Sequence, residues 1–164
     1  MKLMYIFLLF AMACDFASAQ LLAPDPTPPR VVSNAAMLIQ FGGQRIEVLP
    51  ASRAVRESNG YYSIQQADTS EVIAVDKLGV GYSYASNSNV LLSGEITLKL
   101  KPQYSVASLG TLATGSKLLV SPDLYLLKAN TPLELIRMMG LLQSNPAVNW
   151  AEPFTIRARI NSQN

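Results

Sequence analysis

Residues 94–153 read GEITLKLKPQYSVASLGTLATGSKLLVSPDLYLLKANTPLELIRMMGLLQSNPAVNWAEP, and the fold turns on how this stretch is divided. Its opening, residues 95–101, alternates strictly. Ile96, Leu98 and Leu100 fall on one face and Glu95, Thr97, Lys99 and Lys101 on the other, the pattern of a strand with one buried side. Pro102 ends it, and residues 104–112 carry Val106, Leu109 and Leu112 at helical spacing before Gly115 offers a stop. Residues 117–120 and 124–128 are two short strands around Ser121, Pro122 and Asp123, a turn signal, and are expected to pair as a hairpin. A second helix begins with Thr131 as N-cap, Pro132 at its first position and Glu134 two residues later, a capping box. Leu135, Ile136, Met139 and Leu142 form its inner face, and Met138 and Leu141 widen the apolar surface toward the preceding part of the chain. Asn145 and Pro146 stop it, and residues 147–151 form a last strand. Strand, helix, strand, strand, helix, strand is the order of a split βαβ, ferredoxin-like unit, so the predicted class is α+β with an antiparallel sheet and two helices.

Upstream the signals are weaker but β-rich. Residues 35–41 and 44–49 are apolar runs divided by Gly42 and Gly43, a dipeptide suited to a hairpin turn. Residues 51–70 are polar, with a short strand at Tyr61, Tyr62 and Ile64 after the Asn59-Gly60 turn. Residues 72–75 read as a further strand, and Gly79 and Gly81 weaken any helix over 77–84. The Ser- and Asn-rich residues 83–93 predict a boundary or long loop near 85–89. Residues 34–90 thus form a β-rich N-terminal region before the unit at 94–153, with a tail at 154–164.

The first nineteen residues read as a secretory signal. Lys2 precedes an apolar run over 3–13 too short to span a bilayer, and Ala17-Ser18-Ala19 supplies a cleavage site before Gln20. A second reading makes Cys14 a lipidated first residue, which would attach the chain to a membrane, although Ala11 stands where a leucine is usual. Residues 20–33 hold four prolines and read as a flexible arm. The expected location is the periplasm or the extracellular space. From Gln20 onward there is neither cysteine nor histidine, which removes disulfides, most transition-metal sites and the common catalytic triads. No catalytic residues, metal or cofactor are expected, and so no enzyme. A net charge of +2 without a basic stripe carrying aromatics argues against nucleic acid and leaves another protein as the expected partner.

GEITLKLKP, LYLLKANTPLELIRMM and NPAVNWAEP, in this order and spacing, resemble the prodomains of subtilisin-like serine proteases, particularly fervidolysin-like ones. The resemblance spans 94–153, and FGGQRIEVLP extends it less specifically. Trp150 stands where the family usually has tyrosine, and Asn149 where it has an acidic residue. The resemblance implies that the outer sheet face packs on two surface helices of the protease and assists its folding, while the tail lies product-like across the active site. That face is expected to hold Thr97, Lys99 and Trp150, with Tyr125 and Leu127 if Leu124 and Leu126 point inward; the alternative is that the N-terminal region covers it. Glu152 would cap the protease helices, whose N-terminal amides are unpaired. The occluding tail comprises Phe154, Thr155, Ile156, Arg157, Ala158, Arg159 and Ile160, its arginines suiting a kexin-like protease of basic specificity. No subtilase Asp, His or Ser motif follows in these 164 residues, so the unit is expected to act between chains as external chaperone, inhibitor or both. A non-enzymatic envelope adaptor of the same fold is the other reading.

Overall fold

The structure is a computed structural model and describes residues 37–119, 121–157 and 159–160. The signal at 1–19, Cys14, the arm at 20–33, Ala158 and the end of the tail lie outside the described residues.

The sheet is built on two long strands of 13 residues, β2 (Gln44–Arg56) and β5 (Ser88–Leu100). Each is long enough to serve two shorter strands in succession along one edge. On β2 these are β1 (Met37–Phe41) and then β3 (Tyr62–Gln66), while β4 (Lys77–Ser83) takes the other edge. On β5 they are β4 and then β7 (Leu124–Lys128), while β8 (Val148–Ile156) runs along the opposite edge. A two-residue strand, β6 (Lys117–Leu118), closes the sheet beyond β7. Among the described residues every strand-to-strand pairing is antiparallel, and with one α-helix and one 3-10 segment there the class is α+β.

Local chemistry explains most elements. Gly42 and Gly43 both take positive φ and turn β1 into β2, as their pairing in sequence predicts. Helix α1 (Pro132–Ser144) starts at Thr131, whose Oγ1 accepts from the Glu134 amide at 3.1 Å, while the Glu134 carboxylate accepts from the Asn130 amide at 2.7 Å. Pro50 falls within the irregularity of the β2–β4 register between Leu49 and Arg53, where a missing donor is tolerated.

Three expectations change. Residues 83–93 hold no boundary, because β4 and β5 form a tight hairpin across Tyr84–Asn87, with Asn87 in the left-handed region. The strand read at 72–75 is a loop that leaves Val72 and Val75 exposed and inserts Ile73 into the interior, its amide held by the Asn130 carbonyl at 2.7 Å. Residues 77–83 are instead a strand whose small residues admit a neighbour: a Cβ on Gly81 would lie 2.7 Å from Ile46 Cγ2. The first helix of the C-terminal unit is a 3-10 segment (Val106–Ala113) broken at Gly110, where φ is +60°, so only Leu109 is fully buried.

The main core lies between the sheet and α1. Ile96, Leu98, Leu100, Leu127 and Ala151 from the sheet meet Leu135, Met138, Met139 and Leu142 from α1, and Ile39, Ile46 and Val48 of the β1–β2 hairpin join the same cluster. The N-terminal region and the C-terminal unit therefore share one core. Met138 is buried in it, while Leu141 stays exposed. A second cluster of Leu49, Ala54, Ile73, Leu78, Val80 and Leu91 lies apart from the first, under Tyr62, Ile64, Ile156 and Ile160.

Candidate interaction face

The strand order β8, β5, β7, β6 fixes which side chains share the face opposite α1. Directly paired residues of antiparallel strands point the same way. Ile96 pairs with Leu127 and Leu98 with Tyr125, and since Ile96 and Leu98 are core, Tyr125 and Leu127 face the core too. Leu127 is 1% exposed and Tyr125 half-buried against the same cluster. The expectation that these two residues face outward is therefore reversed. The turn at Ser121–Asp123 sets a register that brings Leu126 opposite Thr97 and Leu124 opposite Lys99, so Leu124 and Leu126 lie outside, each half-buried.

The other expected residues do come together. Thr97 pairs with Glu152 and Lys99 with Trp150, placing Thr97, Lys99, Trp150 and Glu152 on one outer surface. Phe154 continues the outward row of β8 and is 50% exposed; Trp150 is 38% exposed. Among the described residues the N-terminal region leaves Trp150, Glu152 and Phe154 exposed. Aromatic side chains exposed beside half-buried leucines form an apolar surface of the kind used in protein contacts.

Charge frames this surface. Lys99 Nζ lies 3.5 Å from Asp123 Oδ2, and the Ser121 hydroxyl donates to Asp123 Oδ1 at 2.8 Å. That hydroxyl is the chief cause holding the Asp123 carboxyl below the usual range, with Lys99 adding to it. Glu152 is exposed and has no hydrogen bond or ion pair among the described residues, so its carboxylate is available to donors from elsewhere. It stands beside the β1–β2 turn, 3.6 Å from where a Cβ on Gly42 would be. Here a groove of about 710 Å³ runs between that turn, the end of α1 and the start of β8, lined by Phe41, Arg45, Gln143, Asn149, Trp150 and Glu152 among others.

The tail does not extend away from the body. Phe154, Thr155 and Ile156 belong to β8, Thr155 and Ile156 pairing with Leu92 and Leu91. Farther on, the Tyr62 amide donates to the Arg159 carbonyl at 3.2 Å and Ile160 bridges Tyr62 in parallel. Arg157 and Arg159 are exposed, and Ile156 and Ile160 pack on the second cluster.

A buried cation escaped the sequence reading. Arg53 is 1% exposed; its guanidinium donates to the carbonyls of Pro50, Ser52, Asp68 and Glu71, and its Nε has no partner. Burial lowers its pKa, opposed by Glu71 and Asp68. Its position in a β-rich polar stretch carries no local sign of this. Among the described residues no group of three or more acidic, Cys or His side chains could hold a metal, and no helix is long and apolar enough to cross a membrane. No protein-family model, curated protein or solved structure matches the chain.

Proposed function

We propose that this protein is a secreted, non-enzymatic partner of a subtilisin-like serine protease, serving as chaperone for its folding, inhibitor of its activity, or both. The observation that carries this reading is the open face of Thr97, Lys99, Leu124, Leu126, Trp150 and Phe154, with the exposed Glu152 carboxylate, unpaired among the described residues, at its edge. The apolar residues supply desolvation energy against a protease surface, and Glu152 supplies an acceptor for unpaired helix N-terminal amides. The strand order β8, β5, β7, β6 supports the finer reading of a ferredoxin-like βαββαβ unit, in which the 3-10 segment stands for the first helix. The exposed Arg157 and Arg159 favour a protease of basic specificity.

The test mixes the chain from Gln20 onward with subtilisin-like proteases of basic and of apolar specificity, and follows peptide hydrolysis, complex formation by gel filtration, and recovery of activity when the denatured catalytic domain refolds. A one-to-one complex with slowed hydrolysis or faster recovery is expected. No complex and unchanged kinetics with every protease would sink the reading.

A second reading, an envelope adaptor of the same fold, is favoured by the tail's attachment to its own body, which an assembly module has no need to release. Crosslinked pull-down from the periplasm separates the two. Recovery of envelope components with no protease supports the adaptor.

A further inference from the structure

The described end of the chain is bound where a protease would need it free. A segment entering a protease cleft must be extended, with backbone donors and acceptors available to the enzyme. In this protein the carbonyl of Arg159 is already taken by the Tyr62 amide, Ile160 is bridged to Tyr62, and Ile156 is paired with Leu91. Ile156 and Ile160 cover the cluster formed by Leu49, Ile73, Leu78 and Leu91. Arg157 and Arg159 face solvent, so the tail displays its charges while its backbone is engaged. The same residues cannot occupy both places.

We propose that Ile156, Arg159 and Ile160 form an intramolecular latch, closed by Ile160 on Tyr62, which withholds the tail from a protease cleft until it opens. The inference rests on the protease reading for its purpose, but the latch itself is a property of this chain. Its closure is local. The described contacts beyond β8 are one backbone hydrogen bond, one bridge and the packing of Ile160, so opening is a sub-global event that leaves the pairing of β5 with β7 and most of β8 intact. An enzyme acting on the tail therefore meets a competent fraction smaller than one, and its apparent affinity falls by that fraction.

Trypsin serves as the probe, because it must accept the tail in extended form to cut after Arg157 or Arg159. Cleavage at these two bonds, followed by mass spectrometry at low trypsin, reports the open population when opening is fast relative to cutting. Two variants move that population in opposite directions. Ile160→Asp removes the apolar closure and is expected to speed both cuts by about tenfold or more, since a charge cannot replace the isoleucine's packing on the second cluster. The pair Tyr62→Cys and Ile160→Cys joins bridge partners at a spacing of about 4.8 Å, within disulfide reach, and its oxidised form is expected to resist both cuts while its reduced form is cut readily. Equal cleavage rates for wild type, Ile160→Asp and the oxidised pair would overturn the latch.

Inhibition of a subtilisin-like protease gives the second readout. The reduced pair should inhibit at least tenfold better than the oxidised pair; equal inhibition by both would show that the tail need not open and would overturn the proposal. If neither form nor the wild type binds any such protease while trypsin separates the variants as expected, the protease reading falls and the latch stands.

Discussion

Arg53 Nη2 donates to the backbone carbonyl of Glu71 at 2.6 Å, while the Glu71 carboxylate reaches away to Lys77 Nζ at 2.8 Å. One residue thus ties the loop after β3 to the interior through its main chain and to the surface through its side chain. The buried guanidinium is solvated by carbonyls in place of water, which makes it costly to remove but poorly replaceable. Arg53→Ala is expected to lower stability by about 3 kcal/mol, because several carbonyls lose a charged donor. Arg53→Lys, with fewer donors and no planar fork, should recover only part of this. Urea unfolding measures both, and a loss below about 1 kcal/mol for the alanine variant would contradict this account.

Gly94 sits where the edge of β5 passes from β4 to β7. Its φ is +81°, and a Cβ there would lie 2.4 Å from the Ala129 carbonyl oxygen, whose own amide donates to the Gly94 carbonyl at 2.8 Å. Gly94→Ala combines backbone strain with a clash against main chain that cannot swing aside, and is expected to cost about 3 kcal/mol. Thermal unfolding checks it. An unchanged Tm would mean that the bend relaxes freely.

Removing the N-cap of α1 is a smaller change. Thr131→Ala leaves the Glu134 amide without its acceptor and should cost about 1 kcal/mol, whereas Thr131→Ser should be nearly neutral. A chemical denaturation series over the three proteins distinguishes the cap from simple loss of a methyl group.

Trp150→Ala and Leu126→Glu test the outer face directly. Trp150 is part exposed and Leu126 lies on the outer side, so both variants are expected to fold with unfolding midpoints close to wild type. Each should weaken protease binding by tenfold or more, as loss of an interface anchor does. Leu127→Ala should do the reverse, costing roughly 2–5 kcal/mol of stability through a core cavity without altering the free face. Calorimetry of the complex alongside unfolding curves separates the two classes.

Acid and base should each remove a little stability. The Asp123 carboxyl is held below its ordinary range chiefly by the Ser121 hydroxyl, and that of Asp68 by the Ser70 hydroxyl and then the Ser70 amide. A carboxyl with a depressed folded pKa contributes stability that is present above its unfolded value, about 3.9, and lost as pH falls through the folded value. Lys77 is raised by Glu71, so its contribution is present below about 10.4 and lost as pH rises through its folded value. Asp68 and Lys77 are exposed and Asp123 is half-buried, so the effects are modest, and no histidine intervenes. The expected Tm profile is flat from about pH 5 to 9 with a decline on each side; a step near pH 6.5 would contradict it.

The sequence and structure agree at the two strongest local signals. The alternation over 95–101 survives as the outer half of β5, and the Thr131, Pro132 and Glu134 pattern survives as the capped start of α1. The same reading fails over LYLLK, 124–128, because four apolar residues in a row carry no polarity contrast and their face depends on register with β5. Over 77–83 the glycines that weaken a helix serve a strand, where they admit Ile46 and Leu92 from other strands. The candidate face was thus half legible. Thr97 and Lys99 follow from alternation, Trp150 and Glu152 came only from the resemblance, and Leu124 and Leu126 required the pairing.

By itself the sequence determined the class, the hairpin at Gly42–Gly43 and the capped helix, since each depends on backbone preference and neighbours a few residues away, whereas the ends of β2 at Arg56 and β8 at Ile156 depended on strand pairing. Only the tertiary structure decided that one core serves both halves of the chain, that Arg53 is buried, and that the tail folds back on Tyr62. These depend on contacts between residues far apart in sequence, whose partners a local pattern does not encode.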